Sequence, residues 1–162
     1  MDSKEAIQMA LERSHAMVIG LIEGMRDAPL MFPTPNGGCH PMWVLGTLAW
    51  NECMFIHEWV EGQPNPLADW ERSFGIGSEP VDDADSYPAF DLVLDKAHEV
   101  RRHTNELLES LSEEDLDRPS YAPLDRQAHF GTVRECFLML ALKWMMHRGN
   151  VADAERAAAK AS

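Results

Sequence analysis

Four long stretches of the chain repeat apolar residues at spacings of three, four and seven, and no segment alternates apolar with polar between turn signals. That pattern admits amphipathic helices and leaves no place for a half-buried sheet. The first stretch runs from about Lys4 to Asp27, with Ile7, Leu11, Val18, Leu21 and Met25 on one face, Ser3 as the expected N-cap and Ala28-Pro29 as the stop. The second runs from Pro41, a residue suited to a first helical turn, to Glu61, and Gly62, Pro64 and Pro66 prevent its continuation. The third runs from near Pro88 to Leu111, with Val93, Ala97, Val100, Leu107 and Leu111 inward, and Ser112-Glu113-Glu114 reads as a short capped turn after it. The fourth starts near Thr132 and passes Leu138, Leu142 and Met145 into an Ala-rich tail ending near Lys160. Helices of this length are roughly 30–40 Å long and pack side by side, so the expected fold is all-α, a four-helix bundle in a single domain over residues 1–162.

The connection from Gly62 to Tyr87 is long for a bundle loop, and its Trp70 and Phe74 predict that it folds back onto the helices. A long connection also lets consecutive helices run parallel, so the residues alone leave the helix order open.

A length of 162 residues is enough to bury a core without a structural metal or disulfide. The formal net charge of −13 repels phosphate backbones and anionic lipid, which excludes nucleic acid and membrane surfaces as expected partners. No apolar run reaches the roughly 20 residues of a membrane span, and the N-terminal residues carry no basic-then-apolar leader pattern. Cys39, Cys53 and Cys136 are odd in number and form no CxxC, the usage of reduced thiols. A cytoplasmic protein is the expectation.

Several chemistries can be weighed from spacing. A di-iron bundle needs two Glu-x-x-His motifs facing inward. Glu12-Arg-Ser-His15 and Asp95-Lys-Ala-His98 offer the spacing, but the apolar stripes turn Glu12, Asp95 and His98 to the wet side, the latter two among Glu99, Arg101, Arg102 and His103. His57-Glu58-Trp59-Val60-Glu61 lacks the second histidine of a zincin helix and reads as the polar end of the second helix. No nucleophile elbow or phosphate loop is present, Gly75-Ile76-Gly77 being too short. Cys53 and Cys136 fall at apolar helix positions, where a thiol is buried and inert.

Two strings carry more. One is Cys39-His-Pro-Met-Trp-Val-Leu-Gly-Thr-Leu-Ala-Trp-Asn-Glu52; the other is Phe130-Gly-Thr-Val-Arg134 followed by Ala141-Leu-Lys-Trp-Met-Met-His-Arg-Gly-Asn150. Together they resemble the DinB superfamily, the DinB-like or YfiT-type four-helix bundles. The resemblance implies an up-down-down-up bundle, commonly a homodimer, and a divalent metal such as zinc or nickel held by three histidines. Metal-dependent members include thiol S-transferases using bacillithiol or mycothiol, a maleylpyruvate isomerase and hydrolase-like proteins.

Carried over position by position, the three ligand sites of the family fall on Thr47, Lys143 and His147, so one imidazole of three survives. A threonine hydroxyl is a poor donor for zinc or nickel, and a lysine ammonium repels a dication. His40 lies about two turns before Thr47, and His129 is too far along the axis to share an ion with His147. The expectation is therefore a degenerate, metal-free site with no cofactor. Trp43, Thr47, Trp50 and Asn51 share one face of the second helix, and Leu140, Lys143, Trp144 and His147 share one face of the fourth. Facing one another, as the resemblance implies, they form an apolar pocket with a lysine and a histidine, suited to a small molecule, an anion if the lysine sets the choice. Against it stands the reading that the tryptophans and leucines are plain core and Lys143 reaches out to solvent. The alternatives are a metal-dependent thiol transferase or hydrolase using substitute ligands, a catalytic lysine at Lys143, and an interaction module built on the 62–87 loop.

Overall fold

The computed structural model describes residues 2–27, 30–32, 34 and 38–161, and every regular element among them is helical. Four long helical segments carry the core: α1 (Ser3–Gly24), α2 (Pro41–Cys53) with a π-helical continuation (Met54–Val60), α4 (Phe90–Ser110) and α7 (Val133–Ala161). Short helices α3 (Glu71–Phe74), α5 (Glu113–Leu116) and α6 (Gln127–Phe130) lie in the connections, with two 3₁₀ turns at Ala68–Trp70 and Ala84–Ser86.

The helix starts follow side-chain capping. The N-cap of α1 is Asp2, not the expected Ser3: its carboxylate accepts from the Glu5 N–H, and Glu5 closes a capping box. Ser3 is thereby released to donate to Glu113 Oε2 at 2.6 Å and to accept from Arg134. The expected stop at Ala28-Pro29 lies outside the described residues. His40 caps α2, its Nδ1 accepting from the Trp43 N–H at 3.1 Å, and Pro41 takes the first turn. Ser112 caps α5 with a capping box, as its sequence predicts.

The helix ends show which elements meet. Lys4 Nζ donates to the Glu109 and Leu111 carbonyls, 2.7 Å each, at the C-terminal end of α4, while Arg26 pairs with Asp91 near its start. α1 and α4 are therefore antiparallel. Arg134 reaches Ser3 and Glu113, so α1 and α7 begin at one end. The α2 segment packs on both α4 and α7.

The core runs the length of these helices, through Leu11, Ile22, Leu45, Leu48, Leu108, Phe137 and Trp144. The inner face of α4 is turned slightly from expectation, because Leu108 enters the core and Leu107 only borders it. On α7 the expected Leu138, Leu142 and Met145 are exposed, and Cys136, Phe137, Leu140, Ala141 and Trp144 are buried instead. The long 62–87 connection folds back: the Phe74 ring is fully buried, lying where a Cβ on Gly46 would meet it at 2.1 Å. Only glycine admits that approach.

Candidate functional site: a buried polar centre and a lysine cleft

Between α1, α2, α4 and α7 sits a polar centre inside the apolar core. Glu52 is fully buried and accepts from Arg101 Nη2 at 2.7 Å, Thr104 Oγ1 at 2.7 Å and Trp144 Nε1 at 2.9 Å. Arg101 donates its second arm to the Leu11 carbonyl at 2.9 Å, and its guanidinium lies 5.1 Å from the Trp144 ring centroid. The expectation that Arg101 is solvated is overturned: a buried carboxylate needs a buried cation, and it supplies one. His15 packs its ring 4.8 Å from that of Trp144, with Nε2 buried and unpartnered. Burial first, then the Arg101 and His98 charges, push His15 down to about 3, so it is neutral. Glu12 stays exposed, so no inward Glu-x-x-His pair forms there.

The second place is a cleft of about 260 Å³ between the α2 segment and α7. Asn51, Met54, Phe55 and Trp59 form one wall; Phe130, Met139, Lys143 and Met146 form the other, with Ile76 and Arg126 at its edge. On α7 the cleft face is therefore 139/143/146, at helical spacing. Lys143 is half-buried, and burial pulls its ammonium below the usual lysine range, partly offset by Cys39 nearby. Among the described residues no carboxylate pairs with Lys143.

The predicted pocket residues divide between cleft and core. Asn51 and Lys143 line the cleft together, and the Trp43 ring lies 6.2 Å from that of His147 just beyond it. Thr47 is buried, its Oγ1 donating to the Phe74 carbonyl at 2.7 Å, and Asn51 Nδ2 donates to the Thr47 carbonyl at 2.6 Å. Trp50, Leu140 and Trp144 belong to the core, and Trp144 points its N–H at Glu52. His147 is pushed down to about 4 by burial and then by the Lys143 charge. The thiols of Cys53 and Cys136 are pushed up to about 12 by burial, which makes them inert at neutral pH.

The sequence model of the DinB superfamily matches residues 10–151. The chain belongs to the DinB superfamily. No protein with a curated description matches it. At the three positions where the resemblance puts imidazole ligands, this DinB-superfamily chain carries one imidazole, a hydroxyl and an ammonium, a donor set poor for zinc or nickel. The Thr47 hydroxyl donates to the Phe74 carbonyl, Lys143 brings a cation, and His147 is the one imidazole of the three, with Asn150 Nδ2 3.5 Å from its Nδ1. His40 offers no replacement, since both its ring nitrogens are engaged, Nδ1 by Trp43 and Nε2 by the Val81 carbonyl at 2.9 Å. His129 is exposed on α6.

Sequence reasoning left Glu52 without a role and missed the aromatic and methionine walls of the cleft. The 139/143/146 spacing was available as a signal. A Glu among apolar neighbours in the second helix was the other.

Proposed function

We propose that this DinB-superfamily chain binds a small amphipathic anion, a carboxylate attached to an apolar body, in the cleft between α2 and α7, without a metal at Thr47, Lys143 and His147. The observation that carries the reading is Lys143: a half-buried ammonium between Phe55, Trp59, Phe130 and Met139, with no carboxylate against it among the described residues. A desolvated, unpaired cation is unfavourable unless an anion answers it. Arg126 at the edge adds a second positive charge, and the apolar walls suit the ligand's body. The neutral state of His147 beside it keeps Lys143 the dominant charge. The metal-dependent transferase reading would need donors around His147. Its near neighbours are Trp43, Lys143 and Asn150, which favours the metal-free reading.

The same proposal covers the assembly and setting. Helices α1, α2, α4 and α7 in up-down-down-up order are supported by the antiparallel α1–α4 and co-starting α1–α7 pairs. A homodimer through the wet faces of α1 and α7 is supported by Met9, Met17, Leu138, Leu142 and Met145, all exposed there. The three free thiols suit a reducing cytoplasmic setting, and no helix among the described residues is long and apolar enough to cross a membrane.

The test is a calorimetric titration of tag-free protein with benzoate and with octanoate. Binding by the natural chain that weakens tenfold or more in Lys143→Met supports the reading. Equal affinity in both proteins, or none in the natural chain, overturns it.

A further inference from the structure

The winding of the second helical segment changes after Cys53, and the change has a geometric effect. Glu61 lies nine residues beyond Glu52, about two and a half turns of an α-helix, so an unbroken α-helix would turn it away from α4, which Glu52 faces. The π-helical stretch Met54–Val60 has wider turns, continued by the Glu61 N–H bonding the Ile56 carbonyl at 3.0 Å. The wider turns bring His57 and Glu61 back round to α4, where His103 meets them. Such π-segments often accompany functional sites.

The three side chains converge on one point. Glu61 Oε2 lies 3.1 Å from His57 Nδ1 and 2.9 Å from His103 Nε2, and the two imidazole rings stack at 4.4 Å with 7° between their planes. All three donor atoms lie within 4.8 Å of one another. Ligands at the usual ~2.0–2.1 Å from a tetrahedral zinc are about 3.3 Å apart, so the two Glu61–histidine spacings need to open by a few tenths of an ångström, and the stacked rings must turn for both lone pairs to reach one ion. The second imidazole that the sequence lacks at position 61 for a zincin helix is delivered from α4 instead. Side-chain exposures of 19% for His57, 23% for Glu61 and 39% for His103 leave the point open to solvent but fixed by packing.

We propose that His57, Glu61 and His103 form a binding site for a divalent transition-metal ion of the zinc type, in the groove between the π-segment and α4. Two imidazoles and one carboxylate select such an ion over magnesium or calcium, which prefer all-oxygen shells. His57 and His103 line a groove of about 310 Å³ together with Glu99, Glu106, Lys96 and Arg102, and coordination positions not filled by the three side chains would open there. Open positions of this kind hold water or a substrate atom. Lys96 is bound to Glu99 at 2.6 Å, which draws its charge away from the ion. The site is separate from the Thr47, Lys143 and His147 positions and does not rest on the ligand proposed for the cleft.

The experiment is a titration of tag-free, chelator-treated full-length protein with zinc, followed by calorimetry, with elemental analysis after dialysis. One equivalent is expected. His103→Ala, His103→Gln and Glu61→Gln should each weaken binding tenfold or more, with circular dichroism unchanged, while His147→Ala binds like the natural chain. No saturable zinc binding, or binding that survives both His103 variants, overturns the proposal. Loss in His147→Ala with retention in His103→Ala also overturns it, by placing the ion in the α2–α7 cleft; octanoate binding measured alongside keeps the two readings distinguishable.

Discussion

Glu52 on α2 and Arg101 on α4 form an ion pair of 2.7 Å inside the core, 5% or less of either side chain being exposed. Each charge is tolerable only because the other is there, and Thr104 and Trp144 occupy further acceptor positions on the carboxylate. The pair therefore ties α2, α4 and α7 in a fixed register. Removing one partner leaves an uncompensated buried charge, which costs about 3–5 kcal/mol. Arg101→Met is expected to lower the unfolding free energy by that amount in urea titrations. The double variant Arg101→Met with Glu52→Leu should recover much of the loss, because no lone charge remains. A double variant as unstable as the single one would show that packing, and not charge, is what Arg101 supplies.

Acid should weaken the fold through two neutral histidines. In the native state His15 is pushed down to about 3 and His147 to about 4, against about 6.5 in the unfolded chain. Between those values the unfolded state binds more protons, so stability rises with pH there. The contribution is complete above pH ~6.5 and is lost as pH falls toward the native values. At pH 5 each group costs on the order of 2 kcal/mol, less for His147 where solvent screens it. Urea midpoints at pH 7.5 and pH 5 check this. His15→Leu should shrink the difference between the two pH values, and an unchanged difference would exclude His15 as its source.

The approach of Phe74 to Gly46 makes a steric prediction. A methyl at Gly46 would sit 2.1–2.4 Å from three atoms of the ring, so the ring or α3 must move. Gly46→Ala is expected to destabilise by about 1–3 kcal/mol. Phe74→Ala should cost about 3–5 kcal/mol. The displaced loop should also release the Thr47 hydroxyl from the Phe74 carbonyl. Because Phe74 leaves room in Phe74→Ala, adding Gly46→Ala to it should cost little more, and full additivity in thermal unfolding would count against the contact.

Helix positions were legible where packing is one-sided. The Ile7, Leu11 and Val18 stripe of α1 is the buried face, since a solvated helix must concentrate its apolar residues. Arg101 was illegible because its sequence neighbours Glu99, Arg102 and His103 are those of a wet face, while its partner Glu52 lies 49 residues away. The π-winding after Cys53 has no compositional mark either, so neither the convergence of His57 with His103 nor the turn of Met54, Phe55 and Trp59 toward the cleft follows from helical spacing. Thr47, Lys143 and His147 were reachable only by resemblance. Their pairing depends on two helices far apart in the chain, and the bond from Thr47 to Phe74 depends on a loop whose path no periodicity describes.

The exposed apolar residues of α7 lead to the last prediction. Leu138, Leu142 and Met145 recur at spacings of four and three on the wet side of the helix, and Leu142 is 55% exposed. α7 packs along α1, whose own outer face carries Met9 and Met17 among Ala10, Arg13, Ala16 and Gly20. Leaving such a two-helix apolar face in water is unfavourable at roughly 25 cal/mol per Å², and in the proposed dimer a second copy of the chain would cover it with the same surface. Light scattering coupled to size exclusion should give twice the chain mass of 18.3 kDa for the natural protein. Leu142→Glu should shift it to the monomer with helical content retained, because the substituted side chain is not part of the core. A monomeric natural protein would sink the dimer. A dimer unaffected by Leu142→Glu would move the interface away from α1 and α7.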